Sequence, residues 1–405
     1  MLFLAGLGCS APSVELTGGE LTEPPADPCP AGECLIDPPE DEVRQGWATV
    51  AIDPTGAAWM SYAVSDGPAV TGLFVTRSAA AGEPWSTPVQ VPVAEPPNVG
   101  NTEKPALAVD GDRIALAYTG KGDTLRHAEA NSLYVQIGTI GADGVPTFDA
   151  AIHVDHMMGD EMVLEQARVA FAPDGEIWVL WKRQRYGEED WATWARESDG
   201  FTPVQLSDDL SHRHDCSPPD FRFGFSGEPL IGLRSNIDGW LQTMAVVGDR
   251  VTATASEVAQ VSDDKWPYND EVCPEDGPRL IELADGTLFA AWMAPSDIAW
   301  RLFSAWSTDG GATWTAPAFD HEGVDLGEKW VALAPRADGP FYTAVEGLDS
   351  TTRLLTRDAP GAPYTEELLL DGVGFPLFDV ELASQGDRSV AIGMGDDRVL
   401  WLRDL

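Results

Sequence analysis

Basic residues are scarce in this chain. Lys and Arg number 25 against 66 Asp and Glu over 405 residues, a formal net charge of −41. Nothing here can neutralise a row of phosphates, which argues against a nucleic-acid partner. The same deficit argues against docking on an anionic lipid surface. Cysteine is scarce too, with five in all. No apolar run is long enough to span a bilayer as a helix, and no stretch carries a convincing helical repeat. Gly (40), Pro (31) and Trp (15) are plentiful, and 43% of the residues are apolar. That composition supports a large core rather than disorder. It favours many short strands joined by tight turns.

The chain opens MLFLAGLGCSAP, an apolar run ending in small residues and Cys9. It reads as a shortened secretion signal. Gly8–Cys9 resembles the lipobox of bacterial lipoproteins. That resemblance implies lipidation at Cys9, an extracytoplasmic place at a bacterial cell envelope, and membrane contact only through the anchor. Secretion without an anchor is the alternative. Residues 1–9 are thus signal-like, and residues 10–42, acidic and proline-rich, read as an extended tether. Export suits disulfides. Cys29 and Cys34 are close enough to close a small loop, leaving Cys216 to pair with Cys273, one of the three connectivities that four cysteines allow.

Internal repetition decides the architecture over residues 43–405. A hairpin recurs, with an apolar strand, a turn ending in Gly and a second apolar strand. ATVAIDPTGAAWMSYA, PALAVDGDRIALAYTG and ARVAFAPDGEIWVLWK are three of seven copies. The turn glycines are Gly56, Gly111, Gly175, Gly227, Gly286, Gly339 and Gly386, spaced by 55, 64, 52, 59, 53 and 47 residues. Each hairpin is followed by a further strand pair. Four antiparallel strands per unit of this length is the pattern of a β-propeller blade. The expected fold is all-β, a seven-bladed propeller, with six blades plus a degenerate unit as the alternative. The last unit supplies only three strands before Leu405, so a segment before residue 43 is expected to add the missing outer strand. SVELT (13–17) and ECLID (33–37) are the candidates. A bare sheet edge would otherwise invite aggregation.

The fifth unit contains STDGGATW, with Ser307, Asp309, Gly311 and Trp314. It resembles the Asp-box, or BNR repeat, of sialidases and related propellers, and SAAAGEPW (Ser78, Gly82, Trp85) is similar to a worn copy. The resemblance implies a turn device between third and fourth strands, on the face opposite any active site. It also implies, for an enzyme, an arginine clamp on a carboxylate with a Tyr–Glu nucleophile pair. The places matching the first clamp residue are Arg44, Lys104 and Arg279, and none lies in the family's R-I-P sequence. By blade position, Arg279 and Tyr342 stand nearest to clamp and nucleophile.

Loops that lead into each first strand, and loops between second and third strands, share one face. The long ones (94–104, 151–166, 207–219, 262–277 and 320–329) are where function is expected. HVDHMMGDEM brings His153, Asp155 and His156, with Met157, Met158 and Met162. SHRHDC brings His212 and His214. Near the axis these would suit a copper-type ion through imidazole and thioether, or zinc or manganese through imidazole and carboxylate. Acid-rich loops also admit Ca²⁺, though no EF-hand spacing is present. Arg183, Arg185, Tyr186, Arg234, Asn236, Trp266 and Tyr268 combine aromatic faces with polar groups, which suits sugar recognition. The leading expectation is an envelope recognition module for a glycan or a protein ligand at that face. A sialidase-like glycoside hydrolase is the first alternative and a metal-binding envelope protein the second. No cofactor is required by any motif.

Overall fold

The computed structural model describes residues 33–36, 43–66, 69–99, 103–121, 130–156, 162–185, 189–206, 212–213, 217–237, 240–262, 266–267, 277–295, 300–319, 331–336, 341–346, 352–369, 378–394 and 400–405. They form seven antiparallel sheets. Six follow chain order from an inner strand outward. Their inner strands are Val43–Ile52, Ala106–Asp110, Met162–Phe171, Asp220–Phe223, Arg279–Glu282 and Val331–Pro335. The seventh blade runs Phe378–Gln385, Arg388–Met394, Leu400–Asp404 and then Glu33–Ile36. ECLID thus supplies the closing outer strand, antiparallel to the last strand with Cys34 opposite Leu402. This part of the acidic stretch belongs to the ring rather than to a tether. SVELT lies outside the described residues. The fold is seven-bladed, and the six-bladed alternative is set aside.

The core confirms the ring. Among the described residues, seven separate apolar clusters each join two neighbouring blades. One packs Trp178 and Trp194 of blade three against Phe221, Ile231 and Met244 of blade four. Another packs Met60 and Tyr62 of blade one against Val390, Ile392 and Met394 of blade seven, closing the circle. Both faces of every sheet are covered, so second strands read as nearly unbroken apolar runs such as IWVLW and LFAAWMA. The abundance of tryptophan follows from this demand. Trp59, Trp178, Trp181, Trp194 and Trp292 are fully buried wedges between blades.

Turn chemistry matches the repeat. Gly56, Gly111, Gly175, Gly227, Gly286 and Gly386 all take positive φ, between 58° and 85°, which a side chain rarely tolerates. Gly339 lies outside the described residues. Ser307–Trp314 forms the turn between the third and outer strands of blade five. There the Asp309 carboxylate accepts from Thr313 N (2.9 Å), Thr313 Oγ1 (2.6 Å) and Ser307 Oγ (2.8 Å). Trp314 Nε1 donates to Gly311 O at 3.0 Å. Thr313 first, then Ser307, hold the Asp309 carboxyl down to about 2.

Arg388 ties the last blade to the first. Its guanidinium donates to Asp404 Oδ1 (2.9 Å), Gly56 O (2.8 Å), Ser78 O (3.0 Å) and Ser78 Oγ (3.0 Å). Asp404 Oδ2 in turn accepts from Gly82 N at 2.7 Å. Replacing Arg388 by Ala strands a mostly buried carboxylate and two carbonyls. We expect a loss of about 2–4 kcal/mol in denaturant unfolding. A change below about 0.5 kcal/mol would show that the clasp is incidental.

Candidate functional site

Each inner strand has one paired edge and one bare edge facing the axis. Bare backbone groups away from water need partners. Side chains from neighbouring blades, and from blade four reaching past blade five to blade six, supply them. Arg279 Nε donates to Val331 O at 2.9 Å, and Arg222 Nη1 to Leu333 O at 3.3 Å. Asp220 Oδ2 accepts from Leu280 N at 2.9 Å, and Thr49 Oγ1 donates to Pro105 O at 2.8 Å. The inner strand of blade three bulges between Glu165 and Arg168, and Gln166 takes φ 57° there. The bulge turns Gln166 N onto Glu103 Oε1 at 2.7 Å.

The same side chains form an ionic layer across the channel. Lys104 of blade two reaches Glu381 of blade seven at 2.8 Å, and Arg279 of blade five stands 4.0 Å from the same oxygen. Arg222 pairs with Asp220 at 3.0 Å. Burial alone would raise the Glu381 carboxyl, but Lys104, Arg279 and Arg168 outweigh it and hold it at about 2. Glu103 behaves oppositely. Burial, reinforced by the charge of Glu165, pushes it up to about 8, so it keeps its proton at neutral pH.

A cavity of about 630 Å³ lies in the channel, with Arg168, Asp220, Arg279 and Glu381 at its inner end. Its outer lining includes Pro54, Pro173, Phe225 and Gln385, residues of the turns that join first to second strands. The cavity therefore opens on the face of the first-to-second-strand turns, the side that also carries the Ser307–Trp314 turn. Phe171 and Phe223 line it, and Phe225 at the rim is 56% exposed.

The structure scatters the residues singled out in the sequence. Arg279 belongs to the ionic layer. Tyr342 does not join it; it packs in the apolar cluster between blades six and seven, and its hydroxyl accepts from Arg336 Nη1 at 2.7 Å. His153 and His156 sit on Ile152–His156, an outermost strand of blade two, rather than near the axis. The physical reason is that the crossover chain leaves from the outside of a blade and first pairs with its third strand. His212–Arg213 and Trp266–Pro267 do the same on blades three and four. His153 stacks on Tyr134 at 5.1 Å, and His156 Nδ1 meets Ser132 Oγ at 3.1 Å. Asp155 is clamped by Arg183 Nε and Nη2 at 2.7 Å each and by Trp181 Nε1 at 2.8 Å. It ties blade two to blade three. Arg234 lies within a strand, 3% exposed, with Nη2 on Met293 O of blade five.

The side chains of Arg185, Asn236, Trp266, His212 and Cys34 lie outside the described residues, as do Tyr186, Tyr268, His214, Cys9, Cys29, Cys216 and Cys273. Among the described residues, no three His, Cys, Asp or Glu group as a metal site. Sequence reasoning passed over Arg168, Asp220, Arg222 and Glu381. The available signal was a charged residue at alternate positions of an inner strand, as in DFRF, where a blade buried on both faces should be apolar.

No family model matches the chain, and no curated protein matches it. Among solved structures it is similar to the polysaccharide lyase Uly1, with TM-score 0.57 and 10% identity, covering 88% of this chain and 89% of that one. It is also similar to a polysaccharide lyase of family PL25, an ulvan lyase bound to -[GlcA(1-4)Rha3S]-, with TM-score 0.56 and 11% identity over 89% and 93% of the two chains. The Hadza microbial sialidase Hz136 matches with TM-score 0.49 and 14% identity over 89% and 65%. What the chain shares with the two lyases at these identities is the propeller fold.

Glu103 has a consequence for stability. Folded, it holds its proton up to about 8; unfolded, it loses it near 4.5. The native state binds the extra proton between those values, so its stability falls as pH rises through that window. Glu103→Gln removes this titration. The variant should gain stability relative to wild type progressively from pH 4.5 to 8. A stability difference that stays constant across that range, read by denaturant unfolding, would contradict the assignment.

Proposed function

We propose that the chain is a non-catalytic recognition propeller that binds glycan at the cell envelope, held there by a lipid anchor at Cys9. The observation that carries this reading is the fixed pairing at the axis. Lys104, Arg222 and Arg279, the cations best placed to clamp a substrate carboxylate, hold Glu381, Asp220 and inner-strand carbonyls. The candidate nucleophile Tyr342 is packed between blades. A cavity with aromatic and polar lining supports binding. The polysaccharide-active propellers that share the fold add support for a carbohydrate ligand.

One observation favours glycoside hydrolysis as a second reading. Glu103, whose carboxyl is held protonated by burial and by the nearby Glu165, is the kind of raised carboxyl that general acid catalysis uses. Labelled full-length chain on a glycan array, with a parallel assay of fluorogenic glycosides, separates the two. We expect glycan capture with no release of fluorophore. Release that disappears in Glu103→Gln would establish the hydrolase instead, and no capture of any glycan would contradict the recognition reading.

A further inference from the structure

Of the channel's two ends, the turn-face mouth is the one for which most of the first-to-second-strand turns lie among the described residues, and its chemistry is selective. Resting on the glycan-recognition reading above, we infer that this mouth is a binding site for a neutral pyranose at the end of a glycan chain. The cavity, about 630 Å³, falls inside the roughly 300–1,000 Å³ usual for small-ligand sites. The inner strand of blade five runs from Arg279 at the cavity's inner end to Glu282 near its mouth. Three residue steps of strand make the site about 10 Å deep, enough for a sugar ring entering end-on.

Charge sets the ligand class. Arg168, Arg222 and Arg279 line this space with Asp110, Asp220, Glu282 and Glu381, and Lys104, outside the lining, pairs with Glu381 from behind, so the carboxylates are nearly balanced by cations. The pairs are not saturated. The described contacts of Glu381 fall on Oε1, and its side chain remains 22% open. Arg222, paired with Asp220, is still 28% open. Vicinal hydroxyls, each both donor and acceptor, fit alternating guanidinium and carboxylate groups without upsetting their balance. A sugar carboxylate or sulfate would add an uncompensated anion facing Glu381 and Asp220. The overall charge of −41 opposes such ligands at long range as well.

The rim supplies the apolar half of sugar recognition. Phe223 is fixed edge-on to Trp178, with centroids 5.8 Å apart. Phe225 projects beside it, 56% exposed on a surface otherwise rich in acids. A pyranose presents a C–H face to such rings while its hydroxyls point inward.

Saturation-transfer NMR and titration calorimetry on the full chain test the assignment. The probes are maltotriose, cellotriose and chitotriose as neutral sugars, and 3′-sialyllactose and trigalacturonate as acidic ones. Phe225→Ala is exposed and should leave the fold intact. We expect at least one neutral trisaccharide to bind and to weaken roughly twofold to tenfold in Phe225→Ala, the loss of one aromatic contact. Binding confined to the acidic sugars overturns the ligand class. Neutral binding unchanged by Phe225→Ala but lost in Trp266→Ala overturns the location while leaving glycan recognition standing. Silence with every sugar here and on the array overturns both.

Discussion

Seven inner strands around one axis leave seven unpaired edges facing one another. A sheet in a sandwich can hide its edge under a loop, but a blade's inner edge, where water is kept out, must be satisfied from across the channel or from another blade. The polar side chains near the axis answer that requirement. Arg279 caps a carbonyl of blade six, Asp220 caps an amide of blade five, and Thr49 caps a carbonyl at the start of blade two. Having been drawn inward for backbone satisfaction, these groups then need counter-charges. Lys104 and Glu381, separated by 277 residues, meet at 2.8 Å for that reason.

The functional reading follows from the same constraint. A guanidinium that bonds a backbone carbonyl and faces a carboxylate is poorly placed to seize an anionic substrate. The partly open guanidinium of Arg222 can still meet a hydroxyl. An axial layer built for ring closure is therefore better suited to hold a neutral polyol than to stabilise developing charge. The buried carboxyl of Glu103 marks the other side of that balance. It is kept in place by Gln166 N and Thr119 Oγ1, and it stays protonated because its burial, reinforced by the nearby Glu165, disfavours the charged form.

Local order was legible in the sequence because it depends on near neighbours. A turn glycine announces positive φ wherever it stands, and six of the seven proposed positions are described and show it. The missing outer strand of blade seven was legible too, since three strands at the end of the chain need a fourth and ECLID offered one. What failed was radial position. His153 and His156 were expected at the axis because their segment precedes an inner strand, yet strand pairing captures the first part of each crossover at the periphery. Tyr342 was placed by blade phase alone, and phase does not tell a channel-facing residue from one wedged between blades. The Lys104–Glu381 contact joins blades two and seven across blade one, which no local pattern encodes.

Everything thus turns on whether the axial charges are bound to one another as a closed layer. A double-mutant cycle on Lys104→Met and Glu381→Leu, read by denaturant unfolding of the full chain, asks this directly. The account predicts a coupling energy of about 1–3 kcal/mol, the double variant being far less impaired than the sum of the singles. Additivity within about 0.5 kcal/mol would mean that the two side chains do not hold each other across the ring.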